Sequence, residues 1–100
     1  MAQFDIYKGS PSSAEYLVDL QDEVVDGLAT RVVAPLVASE EISQPMTILN
    51  PVIRIEGEAY LLMTHLLAAI PASSLKNKVA SANTQRNEIF ASLDVLFTGI

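Results

Sequence analysis

The first two-thirds of the chain is patterned for short strands. In Gln3–Tyr7, Phe4 and Ile6 alternate with Gln3, Asp5 and Tyr7, the period of two expected of a half-buried strand. Gly9-Ser10-Pro11-Ser12-Ser13 reads as a turn or flexible loop. Tyr16–Leu20 alternates again, with Tyr16, Val18 and Leu20 on one face. Arg31–Leu36 is rich in β-branched residues. Pro35 has no backbone donor, so it predicts an edge strand or one that ends early. Glu40–Asn50 is polar, contains Pro45 and reads as a loop. Val52–Ile55 and Glu58–Thr64 flank Glu56-Gly57, where glycine supplies the positive φ of a tight hairpin. Pro71 closes the next apolar stretch.

The period then changes. Ile89, Phe90, Leu93, Leu96 and Phe97 fall at i, i+1, i+4, i+7 and i+8, one apolar stripe on an α-helix. Asn83 or Thr84 is placed to cap its start, and Gly99 lies just past its end, where helices commonly stop. These elements predict a single domain over residues 1–100: mainly antiparallel β, closed by one C-terminal helix. No repeat or linker interrupts it.

Composition narrows the class. The chain has 100 residues, of which 50% are hydrophobic and 18% charged, below the usual quarter or so. Disorder and low complexity are thereby excluded. A core this small, with no Trp and six aromatic residues, must be aliphatic. The apolar excess is a first sign of a subunit interface. With no Cys, disulfides, thiolate metal sites and Cys nucleophiles are excluded. The N-terminus lacks the basic and apolar regions of a secretion signal, and Ala59–Ala72 is too short and too interrupted to span a bilayer, which together predict a cytoplasmic protein.

Charge is uneven. Residues 1–58 hold ten acidic and three basic side chains, a net of −7, whereas residues 59–100 carry +1. An acidic front half argues against direct nucleic-acid contact. It suits either a basic protein partner or a merely solubilising surface.

A search for catalytic chemistry is negative. His65 is the one histidine; it lies in an apolar segment, and no nucleophile elbow accompanies it. Asp22/Glu23 and Glu40/Glu41 would point to opposite faces on a strand, and Glu56/Glu58 flank a turn and read as solvated. There is no metal-binding helical motif, Walker loop or dinucleotide fingerprint. Lys76-Asn77-Lys78 is too small a basic spot for a nucleic-acid footprint. These absences favour a binding protein over an enzyme, with no cofactor and no metal. At the C-terminus, Phe97-Thr98-Gly99-Ile100 reads either as a helix cap with Ile100 packed back on the last turn, or as a protruding tip.

Ordered along the chain are Gln3-Phe4-x-x-Tyr7, Leu17-Val18-Asp19-Leu20-Gln21, Val24-Val25-Asp26 and Arg31-Val32-Val33-Ala34-Pro35-Leu36. Asn50-Pro51-Val52-Ile53-Arg54-Ile55, Met63-Thr64, Ala69-Ile70-Pro71, Arg86-Asn87-Glu88-Ile89 and Phe97-Thr98-Gly99-Ile100 follow. In order, spacing and total length the chain resembles the CcdB toxins of toxin–antitoxin modules. The resemblance implies an SH3-like antiparallel β fold with a long C-terminal helix, shared with the MazF-type toxins. It also implies a homodimer that binds the A subunit of DNA gyrase and traps it on cleaved DNA, without catalysis of its own. A CcdA-like antitoxin would neutralise it and, supplying the DNA contact, repress the operon with it, in modules that serve plasmid maintenance.

By that resemblance the gyrase-facing residues are Val24, Val25, Asp94, Thr98, Gly99 and Ile100, adjoined by Gln3, Phe4 and Tyr7. Two positions depart from the pattern: Thr98 stands where well-known members carry Trp, and Asp94 where a neutral amide is usual. Loss of an interface Trp commonly costs about 2 kcal/mol or more, which implies weaker poisoning, a different contact set or a different host. Antitoxin contacts would fall on Lys8–Ser13 and on Ser39–Met46. Two other readings stay open: an mRNA-cleaving toxin of the MazF or Kid type, which needs a basic groove, and a non-toxic relative that only binds antitoxin.

Overall fold

The computed structural model describes residues 1–9 and 14–100. The expected loop Gly9–Ser13 therefore lies, apart from Gly9, outside the described residues. Strands β1 (Asp5–Lys8), β2 (Tyr16–Asp19), β3 (Thr30–Ala38), β4 (Val52–Ile55), β5 (Glu58–Leu62), β6 (Ala68–Pro71) and β7 (Lys78–Ser81) precede helix α1 (Arg86–Thr98). All pairings are antiparallel, in the order β4-β5-β3-β2-β1-β7, with β6 added to β3. The sheet curls into a half-barrel, and α1 packs on one face of it.

Strand β3 is central, which corrects the expectation that Pro35 marks an edge or an early end. Along one side β3 pairs β2; along the other it pairs β6 at Thr30–Val33 and β5 at Leu36–Ala38. Pro35 sits where the partner changes from β6 to β5. In an antiparallel strand a residue's N–H and C=O point toward the same neighbour. The Pro35 carbonyl accepts from Met63 N–H at 2.9 Å, so its missing donor faces the junction, where no ladder bond is lost.

The period of two produces two apolar layers. Ile6, Val18 and Ala34 are directly opposed across three strands and fully buried, and with Leu36, Ile53, Tyr60 and Leu62 they form the main core. The other face buries Tyr7 and Val33 under Leu75. Strand β1 is thus covered on both faces, not half-buried as its alternation implied. It also starts two residues late: Phe4 is fully buried with φ 69°, a conformation no strand continues through. Phe4 is held there by bonds from its N–H to the Asp19 carbonyl and from Ala82 N–H to its own carbonyl.

The hairpin between β4 and β5 forms as predicted, with positive φ at Glu56 (51°) and Gly57 (83°), the two central positions of a type I′ turn. Helix α1 begins without the predicted side-chain cap: Asn83–Gln85 form a 3-10 turn, and the Asn83 amide oxygen bonds Arg86 instead. The predicted stripe is only partly used. Ile89 and Ser92 are buried and Leu93 packs on the core, but Phe97 is 69% exposed. The helix touches the sheet through its i, i+3, i+4 face near its start, and its last turn runs past the core.

A Cβ at Gly57 would meet nothing, so Gly57→Ala carries only the conformational cost of a left-handed residue. We expect it to lower stability by about 1 kcal/mol in urea unfolding. Gly27→Ala, at an open position without positive φ, is expected to change stability by less than about 0.5 kcal/mol.

Candidate functional site

The end of α1 is built to protrude. Gly99 takes φ 78° and donates its N–H to the Val95 carbonyl, closing the last turn. Thr98 Oγ1 donates to the Asp94 carbonyl at 2.6 Å, so this side chain is spent on its own helix. Ile100 does not pack back: it is 89% exposed, and Phe97 beside it stands clear of the core. No basic residue lies in the last turn, so the helix carbonyls and Asp94 make the surroundings of this aliphatic tip negative. Such a tip fits an apolar pocket bordered by cations.

A second exposed apolar position lies on the β2–β3 loop. Asp22 accepts from Val24 N–H at 2.9 Å and starts a 3-10 turn over Glu23–Val25. This is a cap, not the opposed pair expected of a strand. Val24 is 84% exposed and Val25 partly buried. Underneath, Arg31 and Asp19 are both completely buried and paired, with Arg31 Nε 3.0 Å from Asp19 Oδ2 and a terminal nitrogen 2.9 Å from the same oxygen. The terminal nitrogens also reach the carbonyls of Gln21 (2.6 Å) and Asp22 (3.4 Å). Asp26, 3.9 Å from Arg31, also takes the α-amino group of Met1 at 3.1 Å.

The six residues expected to face gyrase fall into two groups within one copy of the chain. Asp94, Thr98, Gly99 and Ile100 are contiguous at the helix end. Asp22 and Glu23, next to Val24 and Val25, share a groove of about 390 Å³ with Asn83 and Arg86 at the helix start. The thirteen residues from Arg86 to Thr98 span about 20 Å of helix. Gln3 and Phe4 adjoin the loop group: Gln3 Nε2 donates to the Leu20 carbonyl, and Phe4 N–H to that of Asp19. Tyr7 lies on the sheet face that carries the Arg31–Asp19 pair. Burial raises its pKa above the ordinary 10.0, and the charges of Asp5 and Asp19 add to this.

Sequence reasoning missed three buried polar residues, in two groups, that organise these segments. One is the Arg31–Asp19 pair, whose only trace is a charge at each end of two apolar strands. The other is Asn50, whose amide accepts from Met46 N–H and donates to the Leu62 carbonyl, pinning the polar loop before β4. His65 is exposed on a 3-10 turn, 3.5 Å from the Asn50 amide nitrogen. Of the segments expected to meet antitoxin, Lys8 is exposed at the end of β1, Ser10–Ser13 are outside the described residues, and Ser39–Glu41 form an exposed 3-10 turn. Glu58 is not simply solvated, since with Glu15 it accepts the Tyr60 hydroxyl, each at 3.2 Å. Among the described residues no group of three or more His, Asp or Glu side chains could hold a metal ion. No helix among them is long and apolar enough to cross a membrane.

The family model of the CcdB protein matches residues 3–99. The chain belongs to the CcdB family. It is thereby a toxin-type protein of toxin–antitoxin modules. The fold of this CcdB-family chain is similar to that of a solved structure described as an endoribonuclease in complex with its cognate antitoxin from Mycobacterial species. The two agree with a TM-score of 0.76 over 96% of this chain and 93% of that one, at 8% sequence identity. At that identity the likeness concerns the fold.

Burial raises the Tyr60 hydroxyl far above its ordinary 10.0, and bonding to Glu15 and Glu58 adds to this. The unfolded chain therefore loses these tyrosine protons first as pH rises. Stability is full below pH 10 and is expected to fall progressively above it. Thermal melts from pH 8 to 11 check this, and Tyr60→Phe is expected to flatten the alkaline decline.

Proposed function

We propose that this CcdB-family protein acts as a gyrase poison: a homodimer that binds the A subunit of DNA gyrase through the tip of α1 and traps the enzyme on cleaved DNA. The observation that carries this reading is Ile100. It is an aliphatic side chain almost fully exposed beyond a glycine-closed helix, at the position where the family meets gyrase. Nothing in the fold requires it there. A homodimer relates two copies of each exposed group, so the tip of one copy and the Val24 loop of the other can serve one partner surface. The partly unused apolar face of α1, with Phe90 38% and Phe97 69% exposed, supplies area for such an interface. A CcdA-like antitoxin neutralises the toxin and represses the operon with it, making the DNA contact itself.

The endoribonuclease fold neighbour supports a second reading, an mRNA-cleaving toxin of the MazF or Kid type. The cations of this chain do not favour it. Arg31 is buried against Asp19, Lys78 pairs with Asp5 at 3.2 Å, and Arg86 lies over the rings of Phe4 and Phe90. An RNA backbone needs a continuous cationic track.

Purified gyrase, supercoiled plasmid and this protein are expected to yield linear, cleaved DNA, while a mixed RNA substrate stays intact. Specific RNA cuts without gyrase-dependent DNA cleavage would overturn the reading in favour of the ribonuclease. Removing Gly99 and Ile100 is expected to abolish DNA cleavage and growth inhibition with the melting temperature within about 2 °C of the intact chain, because these residues bury nothing. Full toxicity of the truncated chain would exclude the tip.

A further inference from the structure

The β2–β3 loop is held more firmly than its burial explains. No side chain from Gln21 to Ala29 is buried, so the loop has no apolar anchor of its own. Its backbone is nevertheless tied at successive points. Val25 N–H donates to the Asp22 carbonyl, Asp26 N–H to that of Glu23, and Leu28 N–H to that of Val25. The loop's entry is fixed from below by Arg31, whose three guanidinium nitrogens are all engaged. Two of their acceptors are the consecutive carbonyls of Gln21 and Asp22, and Gln21 in turn takes Val32 N–H on its side-chain oxygen at 2.7 Å.

A buried ion pair is a poor source of stability. Desolvation of both charges offsets most of their attraction, and well-packed apolar replacements are often as stable or more so. What a guanidinium provides is a rigid planar fork with fixed donor directions. Here that fork sets the positions of two carbonyls that start the turn bearing Val24, an apolar side chain 84% exposed. An apolar side chain so exposed contributes nothing to the core.

We infer that Arg31 is a positioning residue for partner binding. Its pairing with Asp19 holds Gln21–Leu28 in the one shape that presents Val24, and fold stability does not depend on it. This rests on the reading that Val24 faces the gyrase A subunit.

The test is the double variant Arg31→Met with Asp19→Leu, which removes both charges together, assayed on immobilised gyrase A subunit. It is expected to melt at or above the wild-type temperature and to bind at least ten-fold more weakly. Amide exchange should quicken from Gln21 to Leu28 while β1, β3 and β5 stay protected, a pattern general destabilisation does not produce. Arg31→Lys, which keeps the charge without the fork, is expected to weaken binding and loosen the same amides. It carries the test if the double variant does not fold. Val24→Ser, at a position 84% exposed and so expected to leave stability unchanged, probes the underlying reading, and binding should fall at least ten-fold. Impaired binding by Val24→Ser together with wild-type binding by a folded Arg31 variant overturns the positioning role alone. Wild-type binding by Val24→Ser overturns the reading beneath it.

Discussion

The contact between Arg31 and Asp19 sets the relative positions of several segments at once, whereas the hydrophobic core supplies their stability. Asp19 ends β2, its carbonyl fixes the backbone of Phe4, and its carboxylate takes Gln21 N–H as well as the guanidinium. Arg31 stands near the start of β3, the strand on which three others depend. Through Asp26 the same cluster reaches the first residue of the chain. Two strands, the N-terminal turn and the loop between β2 and β3 thus share one buried charge pair, and among the described residues every buried side-chain nitrogen and oxygen has a partner. Removing one member alone strands the other in a medium that cannot solvate it.

Much of the architecture was legible because each local signal had one cheap solution. The Glu56-Gly57 hairpin, the alternation of Tyr16, Val18 and Leu20, and the glycine closing α1 are all local, and all three appear in the structure. The failures were non-local. Pro35 reads as an edge residue until the strand is known to change partners at that point. Phe4 reads as a strand residue because its neighbours alternate, but two distant carbonyl bonds hold it in a left-handed conformation. Phe97 completes a helical stripe, yet the sheet does not extend beneath it. The tip was legible only through the family resemblance, since spacing alone also allowed Ile100 to fold back. The buried pair escaped notice because a charged residue at a strand end reads as solvated until a partner twelve positions away is seen to face it.

The likeness to an endoribonuclease fold separates scaffold from chemistry. A curled antiparallel sheet with a helix across it prescribes where loops and termini emerge, and little else. What a copy of it can recognise follows from the residues placed there. Here those are an acidic front half, cations of which half (Arg31, Lys78 and Arg86) are engaged with internal partners, and aliphatic side chains set on exposed ends.

The last turn of α1 has an evolutionary consequence. Val95 and Leu96 half-bury themselves there, but Phe97, Thr98 and Ile100 are exposed, so the packing of one copy of the chain places little constraint on those three positions. Thr98 illustrates this: it satisfies its hydroxyl within its own helix and leaves the core untouched. Under the proposed function, change at the tip is constrained by the partner it meets and not by the core, so a substitution there alters what is bound before it alters the fold.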